Sequence, residues 1–395
     1  MKKMLFGLVG AYRKIRLTWL KINGKTEQDV HEQRIISGKA WDEFCDSLKT
    51  AGAALVYGNA PTDPFSQAEG YRYLARLLRT GLDAFVEHND PQFPTLKRMV
   101  HETAKIGADN PDNYYQNAQI SGDYEYRITG KRNSIYYLSF HVMNGNYGSA
   151  EGIETCSEIE THDLTMNEDG TFEIILSPKK KGQNWLKVEP ETTLLMVRQT
   201  FMDRDNETPA ELKLECLTGT DYPAPLTAEQ IDNYLSRVSL FVTGTPIWFS
   251  RWANDFSKHP NQLPLLPHNK QKGAGADKNL VYYHSYYQLA EDECLVIETP
   301  IPECDYWNFQ VNNYWMESLD YRYFKIHINK HTAKYNSDGS VTVVVAKHPV
   351  NHPNYLTTAG HDKGTMLWRW YKPNKQLTPN CSVMKIESFS SSLSE

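Results

Sequence analysis

The chain has no Cys-x-x-Cys pair, no Gly-x-Gly-x-x-Gly, no glycine-rich phosphate loop ending in Lys-Ser or Lys-Thr, and no Gly-x-Ser-x-Gly elbow. These absences remove the usual signatures of a zinc ribbon, a dinucleotide fold, a nucleotide triphosphatase and an α/β-hydrolase. Basic residues are few: 42 Lys and Arg stand against 48 Asp and Glu, a net charge of −6. No basic face is available for a phosphate backbone, so no nucleic-acid partner is expected. The Lys179-Lys180-Lys181 run reads as a solvated loop. Long apolar runs are missing too. Residues 4–11 are apolar but too short to span a bilayer, and no cleavage site follows them. The six cysteines show no paired spacing, which predicts free thiols in a reducing, cytoplasmic compartment. Aromatics are abundant instead, with 24 Tyr, 14 Phe and 9 Trp. Tyr and Trp carry a polar end that wants a partner, so many are expected at interfaces.

Charge is asymmetric. The first 22 residues carry Lys2, Lys3, Arg13, Lys14, Arg16 and Lys21 and no acid, giving +6 against −12 for the rest. Leu5, Leu8, Tyr12, Ile15, Trp19 and Ile22 recur at helical spacing, so residues 1–22 are expected to form a basic amphipathic helix. Such a helix suits either the inner membrane surface, as a peripheral contact, or the chain's own acidic body.

The chain also contains one stretch twice. Residues 114–170 and 283–339 superpose at a constant offset of 169 without a gap, with 14 of 57 positions identical. Asp123 matches Asp292, Tyr137 matches Tyr306, Phe140 matches Phe309 and Asn144 matches Asn313. Leu138, Phe140 and Val142 alternate with polar neighbours, as do Trp307, Phe309 and Val311, so each copy is expected to put one strand face into a core. Asp169-Gly170 and Asp338-Gly339 predict tight hairpin turns. Ahead of the first copy, Ile36, Ala40, Phe44 and Leu48 form a helical stripe. Asp63 and Pro64 start another helix, with Tyr71, Leu74, Leu78, Leu82 and Phe85 on its inner face. Between the copies, Thr227 and Gln230 form a capping box, and Thr245-Pro246 marks the start of a further turn.

In the second copy, Asp305-Tyr306-Trp307-Asn308-Phe309, the run 334–340, Asn354-Tyr355-Leu356 and Met366-Leu367-Trp368-Arg369-Trp370 resemble the domain of unknown function 1214. The resemblance covers about residues 292–373, and residues 107–140 resemble the upstream part of long family members. It implies a jelly-roll β-sandwich and says little about activity. The expected fold is therefore α+β, with two duplicated antiparallel β-sandwich domains. The expected order is the 1–22 helix, a helical segment 27–110, a first copy 111–222, a helical insert and linker 223–278, a second copy 279–380 and a polar tail 381–395.

Candidate chemistry comes from where the copies diverge. Residues 145–154 are small and glycine-rich, whereas 314–323 are crowded with aromatics and charge. Glu317 and Asp320 are a candidate carboxylate pair for glycoside cleavage or elimination. His361, on a glycine-containing turn, is a candidate general base. Tyr314, Trp315, Tyr321, Arg322 and Tyr323 are candidate ligand-binding residues, joined by Arg369 because Trp368 and Trp370 flank it. No metal or other cofactor is expected. His327 and His331 are four apart on a strand, roughly 13 Å and too far for one ion. The expected activity is a metal-independent hydrolase or lyase, or a binding protein derived from one. It acts on a small ring-containing ligand, carbohydrate favoured, in a cleft between the β-domains. The competing expectation is a non-catalytic scaffold that docks on a membrane or protein partner or forms an oligomer.

Overall fold

The computed structural model describes residues 24–145, 152–267, 275 and 277–392, so the expected 1–22 helix lies outside the described residues. Among the described residues three α-helices precede the first strands: α1 (Glu27–Ile36), α2 (Lys39–Ala51) and α3 (Pro64–Leu82). Helix α4 (Ala228–Phe256) joins the copies, and α5 (Ile386–Ser392) closes the described chain. Asp63 caps α3 by accepting the Ser66 N–H at 2.8 Å, with Pro64 at the first helical position. Thr227 and Gln230 close the capping box of α4 reciprocally, at 3.2 and 2.8 Å. Among the described residues no helix is long and apolar enough to cross a membrane.

The first copy contains β1 (Asn113–Gln119), β2 (Tyr126–Lys131), β3 (Tyr137–Gly145), β4 (Ile153–Glu160), β5 (Thr171–Ser177), β6 (Trp185–Lys187), β7 (Thr192–Thr200) and β8 (Glu211–Cys216). The second contains β9 (Leu280–Gln288), β10 (Glu293–Pro300), β11 (Tyr306–Val311), β12 (His327–Asn329), β13 (Ser340–Ala346), β14 (Tyr355–Thr357), β15 (Lys363–Tyr371) and β16 (Asn380–Lys385). Each copy is a pair of four-stranded sheets. The orders are β1-β7-β3-β4 with β6-β5-β2-β8, and β12-β11-β15-β9 with β14-β13-β10-β16. Strand for strand the second pair repeats the first. Pairing is antiparallel except where β6 joins β5 and β14 joins β13. Within the first copy Leu138, Phe140 and Val142 pack with Ile128, Ile174 and Val197 between the sheets. Trp307, Phe309 and Val311 pack with Val343, Val345 and Trp368 in the second.

The expected alternation finds its core face, but the opposite face is buried as well. Ser139 and His141 are each 1% exposed, and Asn308 and Gln310 are 0% exposed. The β1-β7-β3-β4 sheet meets the β12-β11-β15-β9 sheet, and the polar residues between them become an internal seam. Several local expectations are corrected. The two Asp-Gly turns form, with Gly170 at φ 80° and Gly339 at φ 81°. They do not join hairpin partners, because β4 and β5 belong to different sheets, as do β12 and β13. Each turn instead carries the chain across the sandwich. On α3 the inner face is Ser66, Gly70, Tyr73 and Leu77, whereas Tyr71 is 63% exposed. Ile36 is also exposed, because Ser37-Gly38 breaks its helix before Ala40. Pro246 does not start a helix but lies inside α4, where burial of Val242, Phe249 and Ala253 outweighs one lost backbone bond. The polar tail is in part an edge strand: β16 pairs with β10 from Glu293↔Lys385 to Glu298↔Asn380. All six cysteines are free.

Candidate ligand-binding site

The residues singled out from the sequence do not converge. Glu317 is 1% exposed and pairs with Arg76 of α3 at 2.7 Å, while Asn313 Nδ2 donates to its other oxygen at 2.9 Å. Burial raises its carboxyl above the ordinary range even against the Arg76 charge. Asp320 faces a different cation: Arg322 Nε and Nη2 fork it at 2.8 and 2.6 Å and lower its carboxyl. Lys105 stands close to both acids and donates to the Ser318 and Leu319 carbonyls at 2.5 and 2.8 Å. His361 packs its ring on Phe65 at 4.6 Å, and its Nδ1 lies 2.9 Å from the Thr358 carbonyl. Phe65 and Arg76 are eleven residues apart on α3, a rise of roughly 16 Å, so His361 and Glu317 touch opposite ends of one helix. Tyr314 and Trp315 are core residues, each 1% exposed, and the Trp315 indole donates to the Ser66 carbonyl at 3.1 Å. Tyr321 packs on His327, and Tyr323 is 76% exposed beside Arg322. The block 314–323 is a clamp between α3 and the second sandwich rather than a cleft wall.

Arg369 is the exception. It projects from the C-terminal half of β15 into the seam, 5% exposed, where a cavity of about 120 Å³ lies between the two sheets and α4. A second cavity of about 270 Å³ adjoins it, and the two share Asn110, Asn113, Arg198 and Leu280 in their walls. Arg198 is the counterpart of Arg369 on β7 of the first copy and lines both cavities. Trp368 and Trp370 do not line the site. Neighbours on a strand point to opposite faces, and both indoles pack in the core with Trp307.

A short strap ahead of β1 builds one wall. Gly107 and Ala108 both have left-handed backbone, φ 62° and 56°. A side chain at Gly107 would strike the Phe249 ring 2.4 Å away, so only glycine fits. The Ala108 N–H donates to the Met316 carbonyl at 2.6 Å, which pins the strained residue. From there the strap lies across the second sheet. Gln310 donates to the Asp109 carbonyl at 2.9 Å, Asn308 to Asn110 at 2.8 Å, and Tyr306 to Asp112 at 2.7 Å. On the far side, Tyr137 and Tyr371 both donate to Glu160, whose other oxygen accepts from Lys372 at 2.9 Å.

Arg369 gives its hydrogen bonds to neutral oxygens of Ala108, Gln310 and Asn308. Arg198 donates to the Gly275 carbonyl at 2.7 Å. The nearby Asp109 carboxylate accepts from the Ser318 N–H and hydroxyl at 3.0 and 2.8 Å. Tyr115 and Tyr282 also line the cavity, and burial raises both phenols, Tyr282 to about 12, despite the two arginines beside them. Both stay protonated donors at neutral pH. Met99, Val100, Ile106, Phe249, Trp252 and Leu266 supply the apolar wall. The arrangement is a small, largely apolar chamber whose polar lining includes two arginines, two phenols and the Asp109 carboxylate, with Asp277 in the wall of the adjoining cavity. Among the described residues there is no group of three or more His, Cys, Asp or Glu placed to hold a metal.

A family model described as a protein of unknown function (DUF1214) matches residues 112–200 and again 287–375. The crystal structure of an uncharacterized protein from Burkholderia cenocepacia is 44% identical, covers 90% of this chain and 99% of its own, and superposes with a TM-score of 0.88. A crystal structure of a protein from Vibrio parahaemolyticus is 12% identical, covers 86% of this chain and 100% of its own, and has a TM-score of 0.45. No curated protein matches the chain.

Proposed function

The chain belongs to the DUF1214 family, and we propose that it binds a small ring-containing organic acid in the chamber between its two β-domains. The observation that carries this reading is Arg369. A guanidinium 5% exposed, bonded to neutral oxygens and facing a cavity beside a second arginine, is a buried charge that an anionic ligand would compensate. Arginine suits a carboxylate because its planar fork matches two oxygens. The cavity volumes fit a single substituted ring. An engineered cavity of roughly 150 Å³ holds benzene; the cavity that Arg369 lines is about 120 Å³, and the adjoining cavity of about 270 Å³, which Arg198 also lines, supplies the remaining room. Hydrolysis or elimination by Glu317, Asp320 and His361 is not carried into the proposal, since each is held in a separate contact.

The test is calorimetric titration of the full chain with a panel of ring acids, uronic and aromatic, and with their neutral amides. Saturable binding of acids but not amides is expected, weakened about 10- to 100-fold in Arg369→Gln, the effect of losing a hydrogen bond to a charged group. Arg369→Lys, which keeps the charge, should retain part of the affinity. If no acid binds and Arg369→Gln alters only thermal stability, the arginines are seam residues and the scaffold reading replaces this one.

A further inference from the structure

The apolar end of the chamber contains one polar side chain that the fold leaves unsatisfied. His284 on β9 is 4% exposed and lines the cavity. Its ring lies 4.6 Å from Phe256 and 6.2 Å from Trp252, both on α4. Its Nε2 is buried with no hydrogen-bond partner among the described residues. Burial, helped by the Arg369 charge, pushes this imidazole down to about 3, so it is neutral at physiological pH. A neutral imidazole carries one N–H and one lone pair, and a hydroxyl group, which both donates and accepts, matches either tautomer.

The strand register fixes how far this group lies from the anion site. His284 stands opposite Leu367, and Arg369 is two residues further along β15 on the same face. Such diagonal neighbours have Cα atoms roughly 7–8 Å apart. One aromatic ring bridges the two positions. The wall around that span is Met99, Val100, Phe249, Trp252 and Leu266, which suits an aromatic face better than a sugar whose every hydroxyl needs a partner.

We infer that the ligand is a hydroxylated aromatic acid, with its carboxylate on Arg369 and Arg198, its ring against Trp252 and Phe249, and its hydroxyl on His284. This rests on the acid-binding reading above and names its ligand class. His284 is the specificity-determining residue, because a site built to hydrogen-bond a hydroxyl rejects the analogue that lacks it.

The experiment uses the full chain and paired acids: benzoate with 4-hydroxybenzoate, phenylacetate with 4-hydroxyphenylacetate, and 3-phenylpropionate with its 4-hydroxy form. Affinities come from calorimetry. In at least one pair the hydroxylated acid is expected to bind about tenfold tighter or more, with that ratio falling to about one in His284→Phe and surviving in part in His284→Gln. The hydroxyl-free acid should bind both variants about as well as wild type. His284→Leu decides the same question if the Phe variant does not fold. Equal affinities within every pair, or a preference that persists in His284→Phe, overturn the inference. If the parent acids still bind and are lost with Arg369→Gln, the acid-binding proposal stands without it. No binding by any acid overturns both.

Discussion

Glu317 shows how a carboxylate chosen for catalysis can be a structural group. It is 1% exposed, and burial raises its carboxyl in spite of Arg76. A raised folded pKa means that, between the unfolded value and the folded one, the native state holds more proton than the unfolded chain. The stability it contributes is complete near pH 4.5 and below, and is lost as pH rises through the folded value. Relative to Glu317→Gln, the wild type should therefore lose stability as pH rises above 4.5 in urea titrations; a pH-independent difference would remove the argument. Asp320, half-buried and forked by a neighbour, should matter little, with Asp320→Ala costing less than about 1 kcal/mol. Among single residues, Arg369 was singled out for its flanking tryptophans, which pack away from the cavity that it lines. His284 was legible and missed. It stands where the first copy has Tyr115, a divergence toward a reactive group like those at 314–323. Arg198 and Arg369 stand at matching positions of β7 and β15 in the two copies. A seam between two like sheets draws equivalent positions from each side, so retention and cavity lining coincide there.

At the scale of elements, what the sequence conveys well is what depends on local chemistry: capping boxes, the Asp63-Pro64 helix start, and the alternation that sets one face of β3 and β11 into the core. What it does not convey is which elements meet. The chamber needs the strap at 107–113, β7, β9, β15 and α4, which lie up to some 260 residues apart, as in the Arg369 to Ala108 bond. No spacing rule links them. Of the stripe expected for α3, Leu74, Leu78, Leu82 and Phe85 pack on the core and Tyr71 does not, while Gly70, which carries no apolar signal, was missed. A Cβ at Gly70 would lie 2.8 Å from both Leu55 and the Trp315 indole. Gly70→Val is expected to destabilise by about 1–3 kcal/mol through overpacking, despite the better helix propensity of most residues over glycine. A melting temperature equal to wild type would mean that the indole can move aside.

For the whole molecule, the two sandwiches, the strap and the helices share one buried polar network, so they should unfold together. Tyr371 bonds Glu160 across the seam beside Tyr137 of the first copy, and Arg369 holds the strap. Scanning calorimetry at pH 7.5 should show one transition, whereas two would mean that each copy is stable alone. The pH dependence of that transition has a definite sign. Burial lowers His141, His284 and His361, which are 1%, 4% and 6% exposed. For His141, burial together with Arg198 outweighs Glu158 and Asp277, whose oxygens lie 3.6 and 3.9 Å from its ring. A histidine with a depressed folded pKa contributes stability that is complete above the unfolded value near 6.5 and is lost as pH falls, because the unfolded chain then binds the extra proton. Each such group costs up to about 1.4 kcal/mol per pH unit below 6.5 until its folded pKa is reached. Three buried histidines outnumber the single raised carboxyl of Glu317, so the melting temperature should fall steadily from pH 6.5 to 5. His361→Gln, remote from the chamber, should make that fall shallower without altering acid binding. Two of the three histidines lie in the seam, so a ligand that satisfies His284 should also hold it neutral. Because that ring is already neutral in the native state from pH 6.5 to 5, a bound hydroxylated acid should raise the melting temperature at each pH by mass action and leave the slope of the fall about unchanged.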